Sequence, residues 1–177
     1  MIGNLVISAD SVIGLAICNA LGAVGTTRRE PPDGRLPFDL RNQIELPLAR
    51  FTYFCSGING FKKCEASPKA ARYVNVECTL QHALEASYHG WVVLLSSCAA
   101  ETHPDTVYGR LKLETEHGFL ALGKRASIFR FGPVMFPGRK TYPNKEYHPI
   151  ELEKLVSILT TKFEPGLHRI LNTPVTV

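Results

Sequence analysis

The sequence predicts an α/β protein, a doubly wound parallel sheet with helices on both faces. Short apolar runs alternate with helix-like stretches along the chain, the pattern of βαβ units. One run, Trp91–Ser96, is almost wholly apolar, as a central parallel strand buried on both faces should be. Small and charged residues follow the runs at Ser8–Ser11, Arg28-Arg29, Ser56-Gly57, Ser96-Ser97 and Gly132-Pro133. In open α/β sheets ligands sit at the carboxyl ends of the strands, so these five places are where function is expected.

The elements follow in order. Leu5-Val6-Ile7 reads as the first strand, then a turn at Ser8–Ser11 and a short helix to about Leu21. Ala23–Thr27 is a second strand, and Phe51–Cys55 an aromatic-rich third. Between them lies a Pro/Gly-rich segment, Glu30 to Pro37. Ser67 is a natural N-cap and Pro68 suits the first helical position. The recurrence of Val76, Leu80 and Leu84 then predicts one buried helix face. After Trp91–Ser96, a loop with Pro104 leads into a helix from about Thr106 to Leu122, and Ala126–Phe131 is the next strand. A loop rich in Pro, Tyr and Lys (133–149), an amphipathic helix near 150–161 and a strand at His168–Leu171 complete the reading.

The chain has 177 residues, which fits one domain at about 100–200 residues per domain. Its 45% apolar and 20% charged residues are globular values. The net charge of +4 is mild and its cations are interspersed with acids, which argues against a nucleic-acid partner. Five cysteines without CxxC spacing read as buried free thiols in a reducing, cytoplasmic compartment. No spacing supports a metal site, including one built on Cys78 and His82. The first 25 residues hold one charged residue, Asp10, and no basic one. A signal peptide wants a basic start and a membrane helix a more uniformly apolar stretch, so neither is expected.

Chemistry concentrates at Ser97, Tyr108 and Lys112. Ser97 leaves the most buried strand, and Tyr108 and Lys112 sit four apart at the start of the next helix, on one face of it. An ammonium beside a phenol favours the phenolate. Such a Tyr can exchange a proton with a carbonyl or alcohol oxygen, which Ser97 can also hydrogen-bond. On spacing alone, a solvated helix face explains the pair better than catalysis does; the preceding strand-end Ser in a βαβ chain sharpens the catalytic reading.

These residues carry a resemblance. The chain resembles the extended short-chain dehydrogenase/reductases, the NAD(P)-dependent epimerase/dehydratase group, and within it sugar-nucleotide reductases of the dTDP-4-dehydrorhamnose reductase type. The matching stretches are Val12-Ile13-Gly14, Thr26–Arg29, Phe38-Asp39-Leu40, Cys55–Ile58, Val74-Asn75-Val76, Leu95-Ser96-Ser97, Tyr108–Lys112 and Arg130–Val134, spanning about residues 2–138 in order. A weaker likeness continues in Glu151–Lys154 and Gly166–His168. The resemblance implies a Rossmann-like NAD(P)-binding domain at 1–132, completed by a reduced substrate-binding region at 133–177. It implies Tyr108 as acid/base, Ser97 orienting the carbonyl, and Lys112 tuning Tyr108 and holding the nicotinamide ribose. It places Pro133 near the nicotinamide, Asp39 and Leu40 near the adenine, and Ser56 and Gly57 along the cofactor backbone. The phosphates fall to Ser8, Ser11, Val12, Ile13 and Gly14 at a helix N-terminus. Arg28 and Arg29 point to the 2′-phosphate of NADP, with NAD as the alternative. A sugar nucleotide is the implied substrate, and a homodimer is compatible with the family.

The chain also departs from the family. Of the glycine-rich turn only Gly14 is left, and Ser11 stands where a middle glycine lets backbone approach the pyrophosphate. Asp10 there would repel phosphate unless it points away. Only ten residues separate Ser97 from Tyr108, and the substrate region is shorter than the family's. Two other readings therefore stand beside the enzyme: a degenerate nucleotide or sugar-nucleotide binder, and a non-catalytic subunit of an assembly. Tyr142, Tyr147 and His148 suit either sugar contact or packing. His103, His117 and His168 read as surface or rim residues, and Asn75 as a structural hydrogen-bonding residue.

Overall fold

A computed structural model describes residues 1–30, 34–136, 149–161 and 163–170. A seven-stranded sheet runs in the order β3-β2-β1-β4-β5-β6-β9, parallel throughout. Its strands are β1 (Ile2–Ile7), β2 (Val24–Thr27), β3 (Leu36–Pro37), β4 (Ala49–Phe54), β5 (Trp91–Ser97), β6 (Ala126–Phe131) and β9 (Gly166–Ile170). A two-stranded ribbon pairs β7 (Val134–Met135) with β8 (Ile150–Glu151). The chain turns outward from β1 through β2 to β3, then returns to place β4 on the other side of β1. That reversal is the topological switch point, where such sheets open a crevice.

Alternation along each strand sends side chains to opposite faces. Val6, Tyr53, Val93, Leu95 and Phe129 pack on one face, with Ile17 of α1 (Val12–Leu21) and Leu155 and Leu159 of α7 (Leu152–Thr161). Leu5, Phe54, Val92, Leu94 and Ile128 pack on the other, with Ala83 of α4 (Thr79–Ser87) and Phe119 of α6 (Val107–Ala121). Each fully buried side chain of this kind contributes about 1.5–3 kcal/mol. Residues 150–170 thus add a helix and an edge strand to the same sheet.

Between β4 and β5 the structure departs from the sequence expectation. Phe61–Ala66 forms α2, which the sequence did not suggest, and Pro68–Arg72 forms α3. Pro68 is at the first helical turn, but the Ser67 side chain makes no capping hydrogen bond; Ser67 is the joint between α2 and α3. A π-helical turn, Tyr73–Cys78, then joins α3 to α4. Leu84 is 45% exposed, so Val76, Leu80 and Leu84 do not form one buried face. At 100° per residue an i, i+4, i+8 series drifts about 80° around a helix, and the buried positions follow Val76, Thr79 and Ala83 instead. Ala99–Thr102 forms a short α5 in the loop before α6. All five cysteines are free, with Cys55, Cys64 and Cys78 buried; burial pushes the Cys55 thiol well above its usual range. Among the described residues no helix is long and apolar enough to cross a membrane.

The Tyr53 hydroxyl lies in the first core with no hydrogen-bond partner among the described residues. A buried orphan hydroxyl costs about 1–3 kcal/mol. Tyr53→Phe should therefore raise the melting temperature, by about 2–4 °C for each kcal/mol recovered in a chain of this size. Thermal unfolding followed at the single tryptophan, Trp91, measures it.

Candidate functional site

Three cavities of about 420, 480 and 320 Å3 lie side by side along the carboxyl edge of the sheet. Ser8, Arg28, Asp39, Arg41 and Gly57 line both of the first two. Ser11, Cys55 and Asn59 line both of the last two, and Ser56 lines all three. They form one trough crossing the switch point, with the sequence-derived candidates distributed along it.

The β1–α1 turn forms its middle wall. Ser8 holds φ +63°, a left-handed conformation, and its N–H donates to Thr26 Oγ1 at 3.1 Å. Ser11 caps α1: its Oγ accepts from the Gly14 N–H and donates to the Ser8 carbonyl, both at 3.0 Å. The Ser11 hydroxyl thus makes both of its hydrogen bonds within the turn. Gly14 is required by packing, because a Cβ there would lie 2.6 Å from the Ser8 carbonyl oxygen. Val12 and Ile13 open the helix, Val12 exposed and Ile13 lining the third cavity. Asp10 is held by Thr27 Oγ1 at 2.8 Å and Arg35 at 2.9 Å, so its charge is compensated by a partner on the β2–β3 side.

Beyond this turn lies the first cavity. Arg28 lines both it and the middle one, and Arg29 lines the middle one. Asp39 is gripped by Arg41 through the backbone N–H at 3.0 Å and the guanidinium at 3.0 and 2.5 Å. That hydrogen bonding holds the Asp39 carboxyl below the usual carboxylate range. Leu40 is buried, and its carbonyl meets Nε2 of the buried His82 at 3.1 Å. His82 lies edge-on to Phe38, so α4 fixes the loop that bears Asp39 and Leu40.

At the switch point the post-β4 loop is clamped by a buried amide. Asn75 accepts from the Ile58 N–H at 2.6 Å and donates to the Ile58 carbonyl at 2.9 Å. A Cβ on Gly57, whose φ is +142°, would come within 2.9 Å of that amide. Asn75 sits in the π turn, and Thr115 of α6 donates to its carbonyl at 2.9 Å. Its observed contacts are those of a structural residue. The Ser56 Oγ is buried without a hydrogen-bond partner among the described residues.

The third cavity joins Ser97, Tyr108, Lys112 and Pro133. Thr106 caps α6 by accepting from the Gly109 N–H at 3.0 Å. Gly109 is essential, since a Cβ would collide with the His103 and Ala99 carbonyls; its absence lets α6 approach α5. Lys112 is buried, its Nζ 5.8 Å from the Tyr108 ring centroid and 3.2 Å from the Leu95 carbonyl to which it donates. An ammonium has three donors, and no other hydrogen bond to Lys112 is formed among the described residues. Phe61 packs edge-on against Tyr108 at 5.4 Å and lies 5.2 Å from His103. The remaining donors of Lys112 and the Ser56 hydroxyl, which bonds none of the described residues, lie along a continuous trough and fit the hydroxyls and phosphates of a dinucleotide.

Sequence reasoning missed the buried charges behind this cavity. Glu116 is 1% exposed and Arg130 7%. Arg130 donates to Glu116 through Nε at 3.1 Å and through a terminal nitrogen, and to Glu101 at 2.8 Å. Ser96 donates to Glu116 at 2.5 Å. Hydrogen bonding to Glu116 raises the Arg130 pKa further. The signal lay in Glu116 following Lys112 by four residues, on the same helix face. Arg41 was missed too, although it stands two residues beyond Asp39. Among the described residues no cluster could hold a metal. Tyr142, Tyr147 and His148 lie outside them.

Solved structures similar to this chain include sugar-nucleotide reductases and epimerases. A hypothetical dTDP-4-dehydrorhamnose reductase from Sulfolobus tokodaii superposes with a TM-score of 0.79 at 17% identity, over 99% of this chain and 78% of that one. UDP-glucose 4-epimerase from Thermotoga maritima, solved with UDP-glucose, gives 0.78 at 13% identity over 98% and 79%. dTDP-4-dehydrorhamnose reductase from Bacillus anthracis, in complex with NADP, gives 0.74 at 15% identity over 98% and 76%. No family model and no curated protein sequence matches the chain. The chain has the Rossmann-like α/β fold of these reductases and epimerases, in agreement with the resemblance read from its motifs.

Two stability measurements test this geometry. A left-handed non-glycine residue costs about 1–2 kcal/mol, so Ser8→Gly should leave the protein as stable or raise its urea midpoint. Glu116→Leu strands a buried guanidinium and should cost about 3–5 kcal/mol, read as a large fall in the same midpoint.

Proposed function

We propose that the protein is an NADP-dependent oxidoreductase of the short-chain dehydrogenase/reductase type, reducing or epimerising a nucleotide-linked keto-sugar. The observation that carries this reading is the meeting of Ser97, Tyr108 and Lys112 on one cavity that continues past Ser56 to Arg28 and Asp39. Solved neighbours bound to UDP-glucose with NAD, or to NADP, support both the cofactor and the substrate class. Five free thiols suit a cytoplasmic setting.

In this reading Lys112 and Ser56 hold the dinucleotide through these donors, and Pro133 borders its reactive end. The dinucleotide, when bound, supplies the hydride to the carbonyl carbon. Ser97 donates a hydrogen bond to the carbonyl oxygen and orients it. Tyr108 gives its phenolic proton to that oxygen as the alcohol forms. The Lys112 ammonium faces the Tyr108 ring and stabilises the phenolate left behind. Epimerisation uses the same groups in both directions, Tyr108 first taking the proton and then returning it.

A second reading, nucleotide binding without turnover, draws on Ser8 and Ser11 at glycine positions of the turn and on the commitment of Ser11 to capping. Calorimetric titration separates the two. NADPH should bind, and Tyr108→Phe should abolish reduction of a dTDP- or UDP-linked 4-keto-sugar while leaving that binding within about threefold. Binding without turnover by the wild type favours the second reading. No binding of NADPH or NADH at millimolar concentration sinks both.

A further inference from the structure

The Asp39–Arg41 pair has the form of a bound phosphate. Arginine meets a carboxylate and a phosphate through the same two-pronged geometry. Here Arg41 reaches Asp39 through Nε at 3.0 Å and a terminal nitrogen at 2.5 Å. The Arg41 side chain is 54% exposed and that of Asp39 17%, so the guanidinium is the member with room to move. Asp39 also accepts from the Arg41 backbone N–H at 3.0 Å, and that bond survives if the guanidinium swings away.

The surroundings carry surplus positive charge. Asp10, the other acid lining the middle cavity, is occupied by Arg35 and Thr27. Among the described residues neither Arg28 nor Arg29 has a carboxylate partner, and Arg28 is close enough to act on Asp39. Arg28, Arg29 and Arg41 outweigh Asp39 by two charges, and a phosphate monoester of about −1.5 to −2 charge placed among them would balance that excess.

We propose that Asp39 competes internally with a 2′-phosphate for Arg41, so that the exchange of this one guanidinium sets the preference of the trough for a 2′-phosphorylated adenosine. The proposal rests on the reading of the trough as an adenine-dinucleotide site. Asp39 then weakens discrimination: in the free protein it occupies the cation the phosphate needs. Exchange replaces one anion by another on Arg41, so the guanidinium is never left without a partner.

The test is calorimetric titration of the full chain with adenosine 2′,5′-bisphosphate, AMP, NADPH and NADH. Arg41→Ala should reduce the bisphosphate-to-AMP affinity ratio about tenfold, the size of one charge-assisted hydrogen bond. Asp39→Asn should raise that ratio by a similar factor, and in the Arg41→Ala background the same change should leave it unmoved. A ratio that falls or stays constant in Asp39→Asn overturns the competition. An equal gain without Arg41 overturns the exchange, because Asp39 would then act on the phosphate directly. Either result with NADPH and NADH still bound leaves the dinucleotide reading standing. Failure of all four probes at millimolar concentration overturns both.

Discussion

Glu116 and Arg130 form an ion pair where the sheet otherwise buries apolar side chains, and the trough depends on it. Removing two such charges from water costs several kcal/mol each, so the pair is tolerable only with every arm occupied. Ser96, Glu101 and the bidentate contact supply that occupancy. The four elements so joined are the end of β5, the second half of α6, the end of β6 and, through Glu101, α5. Ser97 follows Ser96, Lys112 lies one helical turn before Glu116, and Pro133 lies three residues after Arg130. One polar contact thus fixes the relative positions of the residues that line the third cavity.

A second constraint acts where backbone must pass close to backbone. Gly14 and Gly109 are each required because a Cβ would meet a carbonyl oxygen. The first lets α1 approach the β1 turn, the second lets α6 approach α5. Around the switch point the same closeness is managed with hydrogen bonds: Ser11 spans its own turn, and Asn75 spans both polar groups of Ile58. The serines therefore preserve the shape of a turn that elsewhere uses glycine. Ser8 accepts a strained conformation as the cost.

Much of the fold was legible because a sheet buried on both faces writes apolar runs, and β5 does so plainly. The positions of Ser97, Tyr108 and Lys112 followed from one strand end and one helix spacing. The stretch between β4 and β5 was less legible. A π-helical turn at Tyr73–Cys78 changes the angular step in mid-helix, and no residue type announces it. Glu116 escaped notice because Lys112, Thr115 and Glu116 look like the solvated side of α6, yet they face the sheet. His82 of α4 reaches back 42 residues to the Leu40 carbonyl, and nothing local marks it as that partner, whereas Arg41 stands only two residues beyond Asp39.

The sequence by itself determined the parallel α/β architecture, the strand ends that carry polar groups and the spacing of the central trio, because burial and helical periodicity act over a few residues. Only the tertiary structure decided which polar groups are spent and which are spare. It closed Asp10 onto Arg35, Asp39 onto Arg41 and Ser11 onto its own helix, and left Ser56 with a buried hydroxyl facing the trough. The Asp10–Arg35 pairing and the place of Ser56 in the trough depend on distances between segments far apart in sequence, which only the packing of the helices on the sheet brings together, whereas Asp39–Arg41 and the Ser11 cap are local contacts whose backbone that packing sets.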